Sequence, residues 1–158
     1  MISLIRTDTD NPDFHILVKS LDKELADRDG DEHAFLAELN KTDQIKNVVI
    51  AYSYLEPIGC GAFKPFDKDT VEIKRMYVKE DFRGQKVASH VLSELEEWAL
   101  ESGYSKTVLE TGVRQPEALG FYHKMGYAKI PNYGQYKGIK NSVCFSKEIR
   151  ESAVNFNF

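Results

Sequence analysis

The chain has 158 residues, of which 42% are hydrophobic and 29% charged, and its net charge is −4. This length suits one domain with its own core, and the composition excludes a disordered or fibrous chain. The negative charge argues against broad binding to a nucleic-acid backbone, and no apolar run approaches the length of a membrane span. Because the first residues lack the pattern of a secretory signal, we expect a cytoplasmic protein without membrane partners.

The N-terminal part of the chain predicts one strand and two helices. Residues 2–8 read as the strand. Asn11 followed by Pro12 marks the start of the first helix, because asparagine caps helices and proline suits the first helical position. Apolar residues then recur at the helical period, at Phe14, Leu17, Val18, Leu21 and Leu25. A short second helix is predicted over residues 32–39.

Three strand-like segments follow, over residues 47–55, 58–66 and 70–78. The residues between them are short and turn-like, with Glu56-Pro57 in the first gap and residues 67–69 in the second. Short turns between strands are typical of hairpins, so we expect an antiparallel meander.

The second half of the chain alternates helices and strands. A strongly amphipathic helix begins at Val87 and is ended by Gly103, and residues 106–111 form the next strand. A fourth helix starts at Gln115 with a proline and an acid behind it, and Gly126 closes it. The last two strands are predicted over residues 127–133 and 142–149, joined by a loop.

The resulting order, β α α β β β α β α β β, predicts an α/β fold with a mixed sheet of about seven strands. The passage from residue 70 to residue 111 is a strand–helix–strand crossover, so its two strands should be parallel. We expect helices on both faces of the sheet. The whole chain, residues 1–158, is read as a single domain with a C-terminal tail over 151–158.

The most informative segment runs from Glu72 to Leu92, where a strand passes through a polar turn into a helix. The first turn of a helix carries unpaired N–H groups and a partial positive charge, which together attract anions such as a diphosphate. Arg83 and Lys86 add two cations there, and Gly84 lets the backbone approach a ligand closely. The alternative interpretation is a solvated basic turn without a ligand.

The six residues Arg83–Ala88 resemble the acyl-coenzyme-A site of the GNAT N-acetyltransferase superfamily, whose signature is Gln/Arg-x-x-Gly-x-Gly/Ala. Lys86 stands where the signature has its middle glycine, so either this residue has a negative φ or the lysine tolerates strain. Residues 109–127 resemble the family's later strand and helix, with an Ala-x-x-Phe-Tyr-x-x-x-Gly-Tyr ending. Gln115 takes the place of an asparagine that is common in the family.

The resemblance implies an acetyl-CoA co-substrate and no metal. The strand that carries Met76 should splay from its parallel neighbour and pair with the pantetheine arm, and the amide of Met76 or Tyr77 should face the thioester oxygen. Backbone amides of residues 83–89 should hold the diphosphate. The coenzyme-binding set is thus Met76, Tyr77, Val78, Arg83, Gly84, Gln85, Lys86, Val87, Ala88, Ser89, Gln115 and Tyr122.

Two residues are candidates for catalysis. Glu72 matches a position where some family members carry a general base, and it shares a strand face with Lys74 and Met76 unless a bulge intervenes. The alternative for Glu72 is a surface residue paired with Lys74 or Arg75. Tyr122 matches the tyrosine that many members place beside the coenzyme sulfur, where a phenol can protonate the leaving thiolate. The alternative for Tyr122 is a packing role.

The predicted function is transfer of an acetyl group from acetyl-CoA to a primary amine of a small molecule or peptide, by direct attack in a ternary complex. A non-catalytic acyl-CoA sensor is the alternative, and a generic domain without coenzyme is a third. Cys60 and Cys144 are expected to be free core thiols. The segment from Tyr127 to Tyr136 is either an acceptor wall or a hairpin with exposed tyrosines. The resemblance also makes a homodimer one option, because dimers are common in the superfamily.

Overall fold

The computed structural model describes residues 1–29, 45–113 and 115–149. The predicted helix over 32–39 and the predicted tail over 151–158 lie outside these residues. The described strands are β1 (Ile2–Thr7), β2 (Asn47–Ser53), β3 (Glu56–Pro65), β4 (Thr70–Val78), β5 (Lys106–Gly112), β6 (Ala128–Ile130) and β7 (Ser142–Glu148). The described helices are α1 (Pro12–Asp29), α2 (Val87–Glu101) and α3 (Pro116–Lys124).

The seven described strands form one mixed sheet in the order β1-β2-β3-β4-β5-β7-β6. Its neighbours are antiparallel except for the central pair β4 and β5, which is parallel. The predicted fold class and the predicted parallel pair are therefore confirmed. None of the helices in the described ranges is both long enough and apolar enough to cross a membrane.

Helices cover both faces of the sheet, as the sequence predicted. On one face, Phe14 and Leu17 of α1 pack on buried residues of β2 and β3. On the other face, α2 and α3 share one larger core, to which α2 contributes Val91, Leu92 and Leu95. Asn11 caps α1 as expected, since its side-chain oxygen accepts a hydrogen bond from the backbone N–H of Asp13 at 2.8 Å.

Two strand boundaries differ from the prediction. The turn between β2 and β3 lies at Tyr54 and Leu55, and Glu56-Pro57 already belong to β3. Tyr54 supplies the positive φ of 56° that this tight turn requires. Near the C-terminus, the predicted strand over 127–133 is reduced to β6, because Pro131 lacks the N–H that continued pairing needs.

The central parallel strands pair at one end only. Thr70, Val71 and Glu72 of β4 lie opposite Lys106, Thr107 and Val108 of β5, and no pairing between these strands continues beyond Glu72. Both strands run on, β4 to Val78 and β5 to Gly112, each paired with its other neighbour. The sheet therefore opens into a V-shaped gap, whose vertex lies at Glu72 and Val108.

Candidate active site

A bulge changes the facing of β4 inside the gap. Opposite β3, Ala62 pairs with Lys74 and Cys60 with Tyr77, so three steps on β4 match two on β3. Arg75 absorbs the extra residue with a φ of 59°. Its guanidinium donates to Asp22 of α1 at 2.9 Å, and its carbonyl accepts from the Cys60 thiol at 3.4 Å.

The bulge decides which candidate residues share a face. Ile73 packs under α2, so its neighbours Glu72 and Lys74 project to the face that α1 covers. Without a bulge Met76 would join them, but it packs in the α2 core instead. Glu72, Lys74 and Met76 were expected to share a face unless a bulge intervened; the bulge at Arg75 does intervene, so Met76 lies on the opposite face.

Two helix N-termini flank the open end of the gap. Helix α2 begins nine residues after the end of β4, and α3 begins four residues after the end of β5. Both starts therefore lie beyond the separated strand ends. The N-terminus of a helix carries a partial positive charge, so each of these two starts is suited to an anionic ligand.

The loop entering α2 presents a row of unpaired backbone N–H groups. The first helical hydrogen bond of α2 is donated by His90 to the carbonyl of Lys86, at 3.1 Å. The six residues before His90, residues 84–89, have backbone N–H groups that donate to no backbone carbonyl in the loops or helix caps of the described residues. Gly84 has a φ of 81°, and a Cβ there would meet nothing within 4 Å, so the loop surface is open. Ser89 closes the turn through a 3.0 Å hydrogen bond from its hydroxyl to the Lys86 carbonyl.

Lys86 is in the left-handed region, with φ 67° and ψ 17°. Lys86 replaces the middle glycine of the signature, and two explanations were given for this. A negative φ is wrong, and a lysine held in a strained conformation is confirmed. A glycine at the middle position of the signature would adopt this conformation without strain, because it has no Cβ. The Lys86 side chain is exposed at the helix start.

We expect Lys86→Gly to raise the free energy of unfolding by about 0.5–1 kcal/mol, because relief of the left-handed strain exceeds the added entropy of the unfolded chain. Urea denaturation measures the change. Lys79→Gly is the matched control: Lys79 has a φ of −57°, so glycine there relieves nothing and should lower stability. A Lys86→Gly variant less stable than the parent would contradict the strain at this position.

Arg83 joins the loop to its surroundings. Its guanidinium donates to the Val78 carbonyl at 2.8 Å and to Glu24 of α1 at 2.7 Å, and it lies 5.6 Å from the centre of the Tyr77 ring. Its backbone N–H donates to the Glu80 carbonyl at 3.2 Å. This arginine therefore fastens the loop to β4 and α1. Of the two predicted cations, Lys86 is the one whose charge stays at the exposed start of α2.

Glu72 lies at the vertex of the gap and is only 3% exposed. The Tyr133 hydroxyl donates to its Oε2 at 2.7 Å, and the ammonium groups of Lys64 and Lys74 lie 3.9 Å from its two oxygens. The alternative reading of Glu72 as a surface residue is wrong, although its predicted pairing with Lys74 is present. Burial of this carboxylate costs desolvation free energy, which the hydrogen bond from Tyr133 and the two nearby ammonium groups offset.

The segment after β6 closes over this carboxylate. Asn132 holds the segment in place by donating to the carbonyls of Ile139 and Ser142, at 3.1 and 3.0 Å. Tyr136 is fully buried and accepts a 2.9 Å hydrogen bond from Lys74, and its ring lies 5.5 Å from that of Tyr133. Burial raises the pKa of both tyrosines, so both phenols stay protonated. The alternative of a hairpin with exposed tyrosines is thus wrong for these two.

Tyr122 lies on α3, on the other side of the sheet. It is 7% exposed, and its ring packs against Phe121, Tyr127 and Phe145. No hydrogen bond of its hydroxyl is observed among the described residues. Burial, and next the charge of Glu110, raise the pKa of Tyr122.

The remaining predicted positions fall into two groups. Val87 is buried in the α2 core and Ala88 is half-buried beside it, so these two offer a ligand their backbone groups. Gln115 precedes α3 without a side-chain cap, and its N–H donates to the Gly112 carbonyl at 3.1 Å. Cys60 and Cys144 are free and buried, as predicted. Burial raises the pKa of the Cys60 thiol to about 12, which makes it a poor nucleophile.

Sequence reasoning missed the contact of Tyr133 with Glu72 and the hydrogen bond of Lys74 with Tyr136. The alternation of β4 does put Lys74 on the face of Glu72, which was the available signal. Nothing in the local sequence connects Tyr133 with a strand 61 positions earlier.

Comparison with known proteins agrees with this geometry. Residues 6–127 match the model of the acetyltransferase (GNAT) family. An IAA acetyltransferase of Azospirillum brasilense is 35% identical over 80 residues, which are 50% of this chain and 52% of that protein. The chain thus matches about half the length of this curated relative.

Solved structures show the same fold at low sequence identity. A candidate acyl-CoA N-acyltransferase of Klebsiella pneumoniae superposes with a TM-score of 0.78, at 24% identity over 94% of this chain and 98% of that one. A GNAT acetyltransferase of Elizabethkingia anophelis, solved with acetyl-CoA bound, has a TM-score of 0.68, at 21% identity over 93% and 97%.

The central parallel strands of the sheet separate, and a helix starts beyond the end of each of them. Together with the relatives named above, this architecture identifies the protein as an acyltransferase. The family match extends over most of the sequence and includes both the loop before α2 and helix α3. The chain belongs to the GNAT acetyltransferase family.

Proposed function

We propose that this protein transfers the acetyl group of acetyl-CoA to a primary amine of a small molecule or peptide. The observation that carries the proposal is the separation of β4 from β5 beyond Glu72 and Val108. Where β4 and β5 separate, N–H and C=O groups that face the gap can form hydrogen bonds with an extended ligand. Pantetheine is such a ligand, because it has amides along its length. The acetyl-CoA bound to the Elizabethkingia neighbour supports the same choice of co-substrate.

The coenzyme would be held from two directions. The amides of residues 84–89 would receive the diphosphate, with the exposed Lys86 beside them. Residues Met76–Val78 would pair with the pantetheine, and the amide of Met76 or Tyr77 would donate to the thioester oxygen. A fixed donor at a developing oxyanion contributes about 3 kcal/mol to the barrier reduction.

The acceptor amine would enter from the α1 face, toward the vertex of the gap. There Glu72 would accept its proton, directly or through water, with Tyr133 fixing the carboxylate at 2.7 Å. The neutral amine would attack the carbonyl carbon, and the carbon–sulfur bond would break. Tyr122, which burial keeps protonated, would donate to the departing thiolate from the opposite side.

Two measurements on the full chain test the proposal in sequence. Coenzyme A should raise the melting temperature, because a ligand that binds only the native state stabilises it by about 2.7 kcal/mol at 100 times its dissociation constant. Acetyl-CoA should then release thiol in proportion to an added amine, across a panel of small amines and peptide N-termini. A melting temperature indifferent to coenzyme A rejects the gap as its site. Stabilisation without amine-dependent thiol would favour a sensor.

A further inference from the structure

Lys74 lies where the acceptor side of the gap begins. Glu72 and Val108 are the last residues of β4 and β5 that pair with each other. The next side chain on the same face is that of Lys74 on β4 and that of Glu110 on β5. The Lys74 ammonium is 2.9 Å from the Tyr136 hydroxyl and 3.9 Å from Glu72 Oε2, and it interacts electrostatically with Glu110 across the gap. Its side chain is 3% exposed.

These contacts place a primary amine at the position where an acceptor amine is needed. It is beside the candidate base, at the vertex of the gap, and two positions before Met76, whose amide is one of the two candidates to face the thioester oxygen. Its environment also favours reactivity. Burial lowers the pKa of Lys74, against the opposing charge of Glu72, so a larger share of neutral amine is present than for a lysine in water.

We propose that Lys74 is a self-acetylation site, modified by the acetyl-CoA bound in the gap of the same chain. The inference rests on the proposed function, because it needs the same thioester in the same place. It assigns the acceptor subsite to a residue of the protein itself when no external amine occupies it.

The step balances as an ordinary acyl transfer. The Lys74 ammonium gives one proton to Glu72, and its lone pair attacks the thioester carbonyl carbon. The new carbon–nitrogen bond forms as the carbon–sulfur bond breaks, and the thiolate leaves with a second proton from the nitrogen, relayed by solvent or Tyr122. The products are one acetyl-lysine and coenzyme A, with the proton on Glu72 passing to solvent.

The product would differ from the starting state in charge and in volume. Acetyl-lysine is neutral, so Glu72 and Glu110 would lose a buried cation between them. The added acetyl group would also occupy the space that an incoming amine requires. Self-acetylation would therefore stop further turnover, and an external acceptor would protect the enzyme by competing for the same acetyl group.

The test is mass spectrometry of the purified full chain after incubation with acetyl-CoA and no amine. We expect the gain of one acetyl group per chain, mapped to Lys74 in the parent sequence. The modification should be first order in the loaded enzyme, with a rate constant that does not change with enzyme concentration, because the reaction is intramolecular. Excess coenzyme A or an added acceptor should slow it. Lys74→Arg should abolish the gain, whereas Lys79→Arg, outside the gap, should leave it unchanged.

The outcomes separate this inference from the function on which it rests. If coenzyme A stabilises the chain and amines release thiol, but Lys74 stays unmodified, self-acetylation is overturned and the proposed function stands. If coenzyme A produces no stabilisation, the proposed function fails first. Acetylation spread over exposed lysines at equal rates, unaffected by coenzyme A, would be uncatalysed chemistry and would also overturn the inference. Mapping on the parent chain needs no variant, so poor folding of Lys74→Arg cannot hide the result.

Discussion

Replacing Glu72 by glutamine should lower kcat by about 100-fold or more, which is the usual loss when a general base is removed. The carboxylate is buried at the vertex of the gap, and no other described carboxylate shares both its strand and its face. Glutamine keeps the size of the side chain and an oxygen that can accept the Tyr133 hydrogen bond, so the geometry is preserved while the basicity is lost. Steady-state kinetics with acetyl-CoA and an active amine measure the effect.

The control for this prediction is Glu56→Gln, at an exposed position of the β2–β3 hairpin. It should leave kcat unchanged, and the KM for acetyl-CoA should change little in either variant, since Glu72 lies on the α1 face, which is the proposed acceptor side. Melting temperature checks the fold, because Lys64 and Lys74 lose a charged neighbour in Glu72→Gln. A Glu72→Gln enzyme that is folded and fully active would remove Glu72 as the base.

Replacing Tyr122 by phenylalanine should lower kcat by about 100-fold while the KM for acetyl-CoA stays within a few-fold, because only the proton donor is lost. The ring contacts with Phe121, Tyr127 and Phe145 survive the change, so packing is retained. Burial, and next Glu110, raise the pKa of Tyr122, so the phenol stays protonated as pH rises through and above the ordinary tyrosine range. Its own ionisation should therefore add no alkaline limb to the pH–rate profile below about pH 10.

Tyr104→Phe is the matched control, because Tyr104 is a half-buried tyrosine that packs on Phe63, away from the gap. It should keep the parental kcat. Amines with good nucleophilicity should not rescue Tyr122→Phe, whereas a coenzyme analogue with a more acidic thiol should, since it needs less help in leaving. Equal losses with both thiols would show that Tyr122 does not protonate the sulfur.

Much of the fold could be predicted from the sequence because its signals are local. Apolar spacing marked α1 and α2, and Asn11-Pro12 marked a helix start. The parallel pair followed from the handedness of a crossover. The loop before α2 could also be located, because the six residues Arg83–Ala88 resemble the family signature and Gly84 among them favours an open turn.

The rest depends on long-range or unusual backbone features. An arginine in the left-handed region, as at Arg75, has no sequence signal, so the bulge and the facing of Met76 could only be left conditional. At Lys86 the signal was the middle glycine of the family signature, which made strain one of two readings. Arg83 forms a hydrogen bond with Glu24, and Tyr133 with Glu72. The residues of each pair lie some 60 positions apart, so the local periodicity of the sequence cannot predict these contacts.

The bulge at Arg75 has an evolutionary consequence. It puts Glu72 and Lys74 on the α1 face of the strand and Met76 and Val78 on the α2 face. In the proposed function the first pair would meet the acceptor and the second pair the coenzyme. The two pairs share no side chain, so substitutions before the bulge could alter acceptor preference without changing the side chains proposed to meet the common donor.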